Sequence, residues 1–269
     1  MKVPKIIHQI WDDQNIPGWL AKYAASWLHF NPEWRYVFWT IDDLNAMVIK
    51  EFPSLLKTYN SLPLKIMKID LARYCLMSKY GGVYVDLDFE CYRPLGDVFT
   101  KNKLTLSWEW PGATKPGLTG DSDALSISRI EEHFLSTATY EHTLGNAILA
   151  SNPSHALWTA VIGALERSQF NSRIKNDEVF GLTGPQFLTQ QFIRHYDNKW
   201  GVRIFDNSIF YPIPWNKPIQ DDGYRASDFE NAYGAHHWSG SWWQPQPGTI
   251  DDVVSIADVI KNPTEFILV

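Results

Sequence analysis

The stretch LKIMKIDLARYCLMSKYGGVYVDLDFE, residues 64–90, constrains the fold of this chain more than any other. Its first part predicts a strong helix over 64–80. Gly81-Gly82 predicts the stop, because glycine readily takes the left-handed conformation that closes a helix. VYVDLDF then predicts a strand over 83–89. On it, Val83, Val85, Leu87 and Phe89 share one face, and Tyr84, Asp86, Asp88 and Glu90 share the other. Two glycines alone join helix and strand, so polar groups on both can converge on one site.

Asp86 and Asp88 put like charges on the same side of an otherwise apolar run. Alternate strand residues lie about 6.6 Å apart along the chain, so both carboxylates can reach one divalent ion and what it carries. The competing reading is a half-exposed strand with two solvated acids. Position favours the ion, since the pair sits near the carboxyl end of a buried strand, where open α/β sheets bind ligands. The helix adds to this. At about 100° per residue, Lys65, Lys68 and Lys79 form a solvent stripe, while Asp70 and Arg73 fall away from it, beside Ile66 and Met77. Either these two neutralise each other as an ion pair three residues apart, or they line a polar cleft. In the cleft, Asp70 would accept hydrogen bonds from hydroxyls and Arg73 would meet an anion.

Elsewhere, KIIHQIW and RYVFWT (35–40) read as buried strands, with a helix capped by Asp42 running to about Glu51 and another helical stretch after Pro53. Strands are predicted at KLTLSW and NAILAS, and helices from about Ser154 to Ser168 and from Gly184-Pro185. Alternating strands and helices predict an α/β fold, an open sheet with helices on both faces. With 269 residues, 45% of them hydrophobic, and neither internal repeat nor long linker, the chain reads as one domain, 1–269. The formal charge of −6 supplies no basic stripe, which argues against nucleic acid and anionic membranes as partners. Two cysteines, Cys75 and Cys91, exclude a disulfide-dense scaffold, leave a single bridge open, and suggest a reducing compartment. MKVPKIIHQIW does not look like a secretory leader, and no run approaches the length that spans a bilayer. The expectation is a soluble, cytoplasmic protein, with peripheral membrane contact left open. The 13 Trp serve either as core and interface anchors or as faces for nucleobases and sugar rings.

The segment from Lys68 to Asp88 resembles the DxD region of glycosyltransferase family 32, which includes fungal Golgi mannosyltransferases and bacterial polysaccharide transferases. Its catalytic core is related to that of clostridial glucosylating toxins. VPKIIHQIW, NAILASNPSH (146–155) and HHWSGSWW (236–243) resemble the family's first strand, middle block and C-terminal block. The resemblance implies an open twisted mixed sheet of the GT-A type that binds a nucleotide-sugar. Residues 1–100 would hold the donor, and 101–269 would supply the acceptor side and a C-terminal loop over metal and diphosphate. It implies a retaining hexosyltransferase that uses Mn²⁺ or Mg²⁺ to move a sugar from UDP-hexose or GDP-mannose to a hydroxyl of a glycan, polysaccharide or glycolipid. By the same resemblance, Trp11 would lie beside the base, Asp70 would hold donor hydroxyls, and Arg73 would sit near the sugar and diphosphate. Asp86 would contact donor hydroxyls and help with the metal, and Asp88 would be the main metal ligand. The His-Trp-Ser-Gly spacing favours His237 as a further ligand, with His236 its rival. Ser241, with Trp242 or Trp243, would close over the diphosphate. No nucleophile is assigned.

Other features fit less tightly. Asp121-Ser-Asp123 is a second acidic triplet after Gly-rich sequence and reads as a turn. Asn146 reads as a contact for donor sugar or acceptor, or as a strand-end residue. His155 reads as a structural residue near a helix start, and Thr183-Gly184-Pro185 as a helix N-terminus, either a plain cap or a place for an anion. Two rival functions share these features. A DxD phosphotransferase would use the first Asp as nucleophile, and a carbohydrate-binding protein would need only the tryptophans.

Overall fold

A computed structural model describes residues 2–109, 143–215, 224–242 and 252–267. Its centre is a six-stranded mixed sheet built from β1 (Ile6–Ile10), β3 (Arg35–Trp39), β4 (Gly82–Val85), β6 (Leu104–Ser107), β7 (Ile148–Ser151) and β8 (Val202–Phe205). The order across it is β3-β1-β4-β7-β6-β8. β1 runs parallel to β3 and β4, β7 is antiparallel to β4 and β6, and β8 is parallel to β6. Strands from both halves of the chain therefore share one sheet. Two small antiparallel pairs flank it: β2 (Asn15–Pro17) with β10 (Val253–Ser255), and β5 (Phe89–Cys91) with β9 (Gly234–His236). The expected α/β class, an open mixed sheet flanked by helices, is what the chain adopts.

Alternation along the strands sends side chains to two cores. Tyr84, Leu104, Leu106 and Leu149 join one face, packed under α2 (Ile41–Glu51), α4 (Lys65–Tyr80), α5 (Ala156–Arg167) and α7 (Pro185–His195). The short helices α3 (Leu56–Ser61) and α6 (Val179–Leu182) complete this layer. Ile7, Val83, Val85, Ile148 and Ala150 join the other face, with Trp27 of α1 (Gly18–Phe30). Trp27 and Trp158 are fully buried, and each indole N–H is satisfied: Trp27 donates to the Phe89 carbonyl at 2.6 Å, Trp158 to Ser151 Oγ at 2.7 Å. For these two tryptophans the packing role holds.

Local chemistry explains several helix ends. Thr40, not Asp42, caps α2. Its hydroxyl accepts the Asp43 N–H at 3.1 Å while the Asp43 carboxylate accepts the Thr40 N–H at 2.9 Å, a reciprocal box that Asp42 has no way to form. Gly184 precedes Pro185 at the start of α7, and His155 caps α5 by accepting the Leu157 N–H at 3.2 Å. Gly81 and Gly82 adopt φ of +62° and +91°. A Cβ on either would lie 2.6 Å from backbone, at Pro153 N and at the Ile6 carbonyl, so both positions demand glycine. Cys75 and Cys91 are buried free thiols in separate cores, which closes the disulfide option.

The predicted strand 83–89 is interrupted. β4 ends at Val85, Asp86 to Asp88 form a turn, and Phe89 begins β5 in a different sheet. The Phe89 N–H closes this turn on the Asp86 carbonyl at 3.1 Å. Two carboxylates facing one point are easier to place on a turn than on a continuous strand, where their neighbours Tyr84 and Glu90 would compete for the same face.

Candidate active site

Beyond the carboxyl ends of β1 and β4 lies a cavity of about 930 Å³. Such sheets place ligands there because strand ends leave unpaired polar backbone and diverging loops. Its walls include Trp11 after β1, Asp70 and Arg73 from α4, the Asp86–Asp88 turn, and the loop after β9.

Arg73 organises one side. It is 3% exposed, and its Nη2 lies 3.2 Å from Asp86 Oδ1 and 3.7 Å from Asp70 Oδ1. Nη1 donates to the Asn146 carbonyl at 2.7 Å, and the guanidinium sits 4.5 Å from the Tyr84 ring centre. Burial opposes its charge, but Asp86, Tyr84 and Asp70 outweigh burial and hold it protonated. Asp70 accepts from Thr183 Oγ1 at 2.8 Å and from Asn146 Nδ2 at 3.2 Å. Burial pushes its carboxyl up to about 6, with Arg73 and Thr183 pulling against it. The two sequence readings of this pair are thus both met: Asp70 and Arg73 pair with each other and also line the cleft. Asn146 joins them, while both Asp70 oxygens are already engaged by protein groups.

Asp86 and Asp88 organise the other side. The Tyr84 hydroxyl donates to Asp86 Oδ1, and Gln9 Nε2 donates to the Asp86 carbonyl at 3.2 Å. Burial raises the Asp86 pKa; Arg73 offsets this, and the neighbouring Asp88 charge adds to it. Asp88 accepts the Ser239 N–H at 2.8 Å on Oδ2, and His236 Nε2 lies 3.2 Å from Oδ1. Burial would raise the Asp88 pKa as well, but His236 and the Ser239 hydrogen bonds overcome it and hold the carboxylate well below the usual range. Burial likewise works to lower His236, and Asp88 prevails, so its pKa is raised.

The histidine preference must be corrected. His236, not His237, faces the carboxylates. His237 turns away, with Nε2 2.8 Å from Glu90 Oε2 and its ring stacked on Tyr23 at 4.3 Å. β9 pairs with β5 in the register Phe89↔His236, which puts the His236 ring beside Phe89 and Trp238 and over the turn. Trp238 follows in a left-handed conformation at φ +53°, a strained state for a non-glycine residue.

One ligand atom each from Asp86, Asp88 and His236 lies within 4.8 Å of the others. Two carboxylate oxygens and one imidazole nitrogen suit Mn²⁺, and suit Mg²⁺ less because Mg²⁺ prefers oxygen alone. Among the described residues His236 Nδ1 has no partner, which leaves Nε2 as the nitrogen already aimed at the acids. The residues fit a divalent ion.

Trp11, Ser241 and Trp242 line the cavity. Trp243, Asp121 and Asp123 lie outside the described residues, and His155 is remote from the site, against the Trp200 carbonyl at 3.3 Å. Sequence reasoning passed over Tyr84, Ser239 and Glu109 as site residues, and it read Thr183 as part of a helix start rather than as the partner of Asp70. Tyr84 shares its predicted strand face with Asp86, Ser239 belongs to the HHWSGS block, and Glu109 directly follows the predicted strand KLTLSW; each carried a positional signal.

Residues 17–105 match the model of a family described as glycosyltransferase sugar-binding region containing DXD motif. The putative glycosyltransferase HOC1 of Saccharomyces cerevisiae is 33% identical over 281 residues, covering 92% of this chain and 67% of that protein. This chain belongs to the DXD-containing glycosyltransferases. Inositol phosphoceramide mannosyltransferase 1 of Schizosaccharomyces pombe is 29% identical over 72% of the chain and 52% of its own length. An uncharacterized glycosyltransferase of Acanthamoeba polyphaga mimivirus is 36% identical over 77% of the chain and 64% of its own length. The chain spans about half the length of the fungal ceramide mannosyltransferases it matches, between 41% and 52%. Among solved structures, the PaToxG glycosyltransferase aligns over 72% of this chain and 70% of its own, with a TM-score of 0.45 and 16% identity. The matched segment of this glycosyltransferase contains Asp70, Arg73, Asp86 and Asp88; the histidine and the serine that complete the cluster come from beyond it.

Proposed function

We propose that this glycosyltransferase moves a hexosyl unit, with mannose the best supported, from a nucleoside-diphosphate sugar to a hydroxyl of a glycan or glycolipid. Mannose and a glycolipid acceptor are supported by relatives named inositol phosphoceramide mannosyltransferases. The observation that carries the reading is the convergence of Asp86, Asp88 and His236 with Arg73 in one cavity at the strand ends. A divalent ion held by those three residues would neutralise charge on the departing diphosphate.

The chain's own residues do the rest. Arg73, fixed as a cation by Asp70 and Asp86, faces the same anion and needs no reorganisation when charge develops. Its Nε lacks a partner among the described residues and is one donor still to be satisfied. Tyr84 holds Asp86 in orientation, and Ser239 does so for Asp88. Trp11 and Trp242 offer flat faces for base and sugar at the cavity wall. Transfer proceeds with retention, by attack on the same face from which the diphosphate departs. No helix among the described residues is long and apolar enough to cross a membrane.

The test is release of nucleotide from GDP-mannose and a panel of UDP-hexoses with Mn²⁺, with and without chelator. One donor is expected to be cleaved slowly and only with metal, and Asp88→Asn is expected to slow this by about 100-fold or more. Metal-independent cleavage, or full activity in Asp88→Asn, would reject the proposed site.

A further inference from the structure

Glu109 stands apart from the other acids of the cavity. It follows Trp108 past the carboxyl end of β6, and its backbone N–H donates to the Thr143 carbonyl at 2.9 Å. β6 is paired on both sides, by β7 and β8, so the sheet sets where Glu109 stands. Its half-buried side chain lines the same cavity as Asp86, Asn146 and His236. Each of the other four acids is answered by the protein: Asp12 by Lys65, Asp70 by Thr183 and Asn146, Asp86 by Arg73 and Tyr84, Asp88 by His236 and Ser239. Among the described residues the Glu109 carboxylate makes no hydrogen bond and no salt bridge, and it lies outside the metal-binding group.

A half-buried carboxyl group that no protein group answers is free to take a hydrogen bond from a ligand that donates one. A diphosphate has no such donor and carries the same sign of charge. A hydroxyl fits, either of a sugar or of water. We propose that Glu109 is the catalytic base that receives the attacking hydroxyl, an inference that rests on the glycosyltransferase reading above. The carboxylate takes the hydroxyl proton, and the freed oxygen forms the new bond to the anomeric carbon. The bond from that carbon to the diphosphate oxygen breaks, its electron pair leaving on the nucleoside diphosphate, and protonated Glu109 later returns its proton to solvent. Burial, together with the nearby Asp86 charge and against that of His236, pushes the Glu109 carboxyl up to about 7. A base is most effective when its pKa lies near the working pH.

Without an acceptor, water is the attacking group, so hydrolysis of the nucleotide-sugar reads the step directly. Turnover at saturating donor is measured with Mn²⁺ for wild type, Glu109→Gln and Glu109→Asp, beside calorimetric titration with Mn²⁺ and the nucleoside diphosphate and a melting curve for each protein. Glu109→Gln is expected to lower turnover about 100-fold while leaving nucleotide affinity and melting temperature unchanged, with Glu109→Asp between the two. Unchanged turnover in Glu109→Gln overturns the proposal. So does a loss of turnover matched by an equal loss of affinity or of stability in both variants, which makes Glu109 a donor-holding or packing residue. A wild type that binds and cleaves no donor rejects the glycosyltransferase reading and this role with it. A wild type that cleaves one, with Glu109→Gln equally fast, rejects only the role of Glu109.

Discussion

His8 on β1 is a buried histidine whose neutral form the fold requires, and replacing it should remove a defined part of the protein's acid sensitivity. Its Nε2–H donates to the Gly81 carbonyl at 2.9 Å, and its Nδ1 accepts the Trp39 indole N–H at 3.1 Å. Protonation would set N–H against N–H at Trp39. Burial is the largest cause lowering its pKa, the Gly81 carbonyl partly offsets it, and Arg35 adds repulsion, giving a fall from 6.5 to about 4. The unfolded chain therefore takes up the proton first as pH falls, so stability is full above 6.5 and declines toward 4. At 1.36 kcal/mol per pH unit the whole effect is about 3 kcal/mol, of which about 1.4 kcal/mol is lost by pH 5.5. Urea unfolding at pH 7.5 and pH 5.5, on wild type and His8→Gln, isolates it, because every other titrating group is common to both proteins. The wild-type midpoint should fall by about 0.5 M more than the variant's, for an m-value of about 3 kcal/mol per molar. Equal pH dependence in the two proteins would refute the assignment of His8 as a neutral strut for the Gly81-Gly82 turn.

Two further outcomes follow from the geometry. His236→Ala should weaken Mn²⁺-dependent nucleotide binding by about 10-fold or more, whereas His237→Ala, which loses only its Glu90 and Tyr23 contacts, should leave it unchanged; calorimetry in Mn²⁺ decides, and the reverse order would refute the orientation of β9. Gly82→Ala forces a Cβ to 2.6 Å from the Ile6 carbonyl at φ +91°, so a loss of about 3 kcal/mol is expected, seen as a melting temperature lower by about 8 °C.

Much of the site was legible because its chemistry is local. The helix, the double glycine and the two aspartates lie within one stretch, and the 3.6-residue period already set Asp70 and Arg73 apart from the lysine stripe. The aspartates' strand was misjudged at Asp86, because an alternating pattern does not reveal that β4 and β5 join different sheets. Asp42 was preferred over Thr40 as a cap because the sequence around it offers three acceptable oxygens, and only the backbone geometry selects among them. Glu109 holds a strand-end position in the sequence, but nothing in its neighbours indicated that it would share a cavity with Asp86 and His236.

The amino-acid sequence by itself determined the main segments, the α/β class and the acids and arginine that share the cleft, since these follow from periodicity, glycine conformation and side-chain chemistry within a few turns of chain. Tertiary structure alone decided which histidine serves the aspartates and which carboxylate is left without a partner. Neighbouring residues of a strand point to opposite sides, so the choice between His236 and His237 hangs on the register of β9 against β5, contacts made across 143 residues or more.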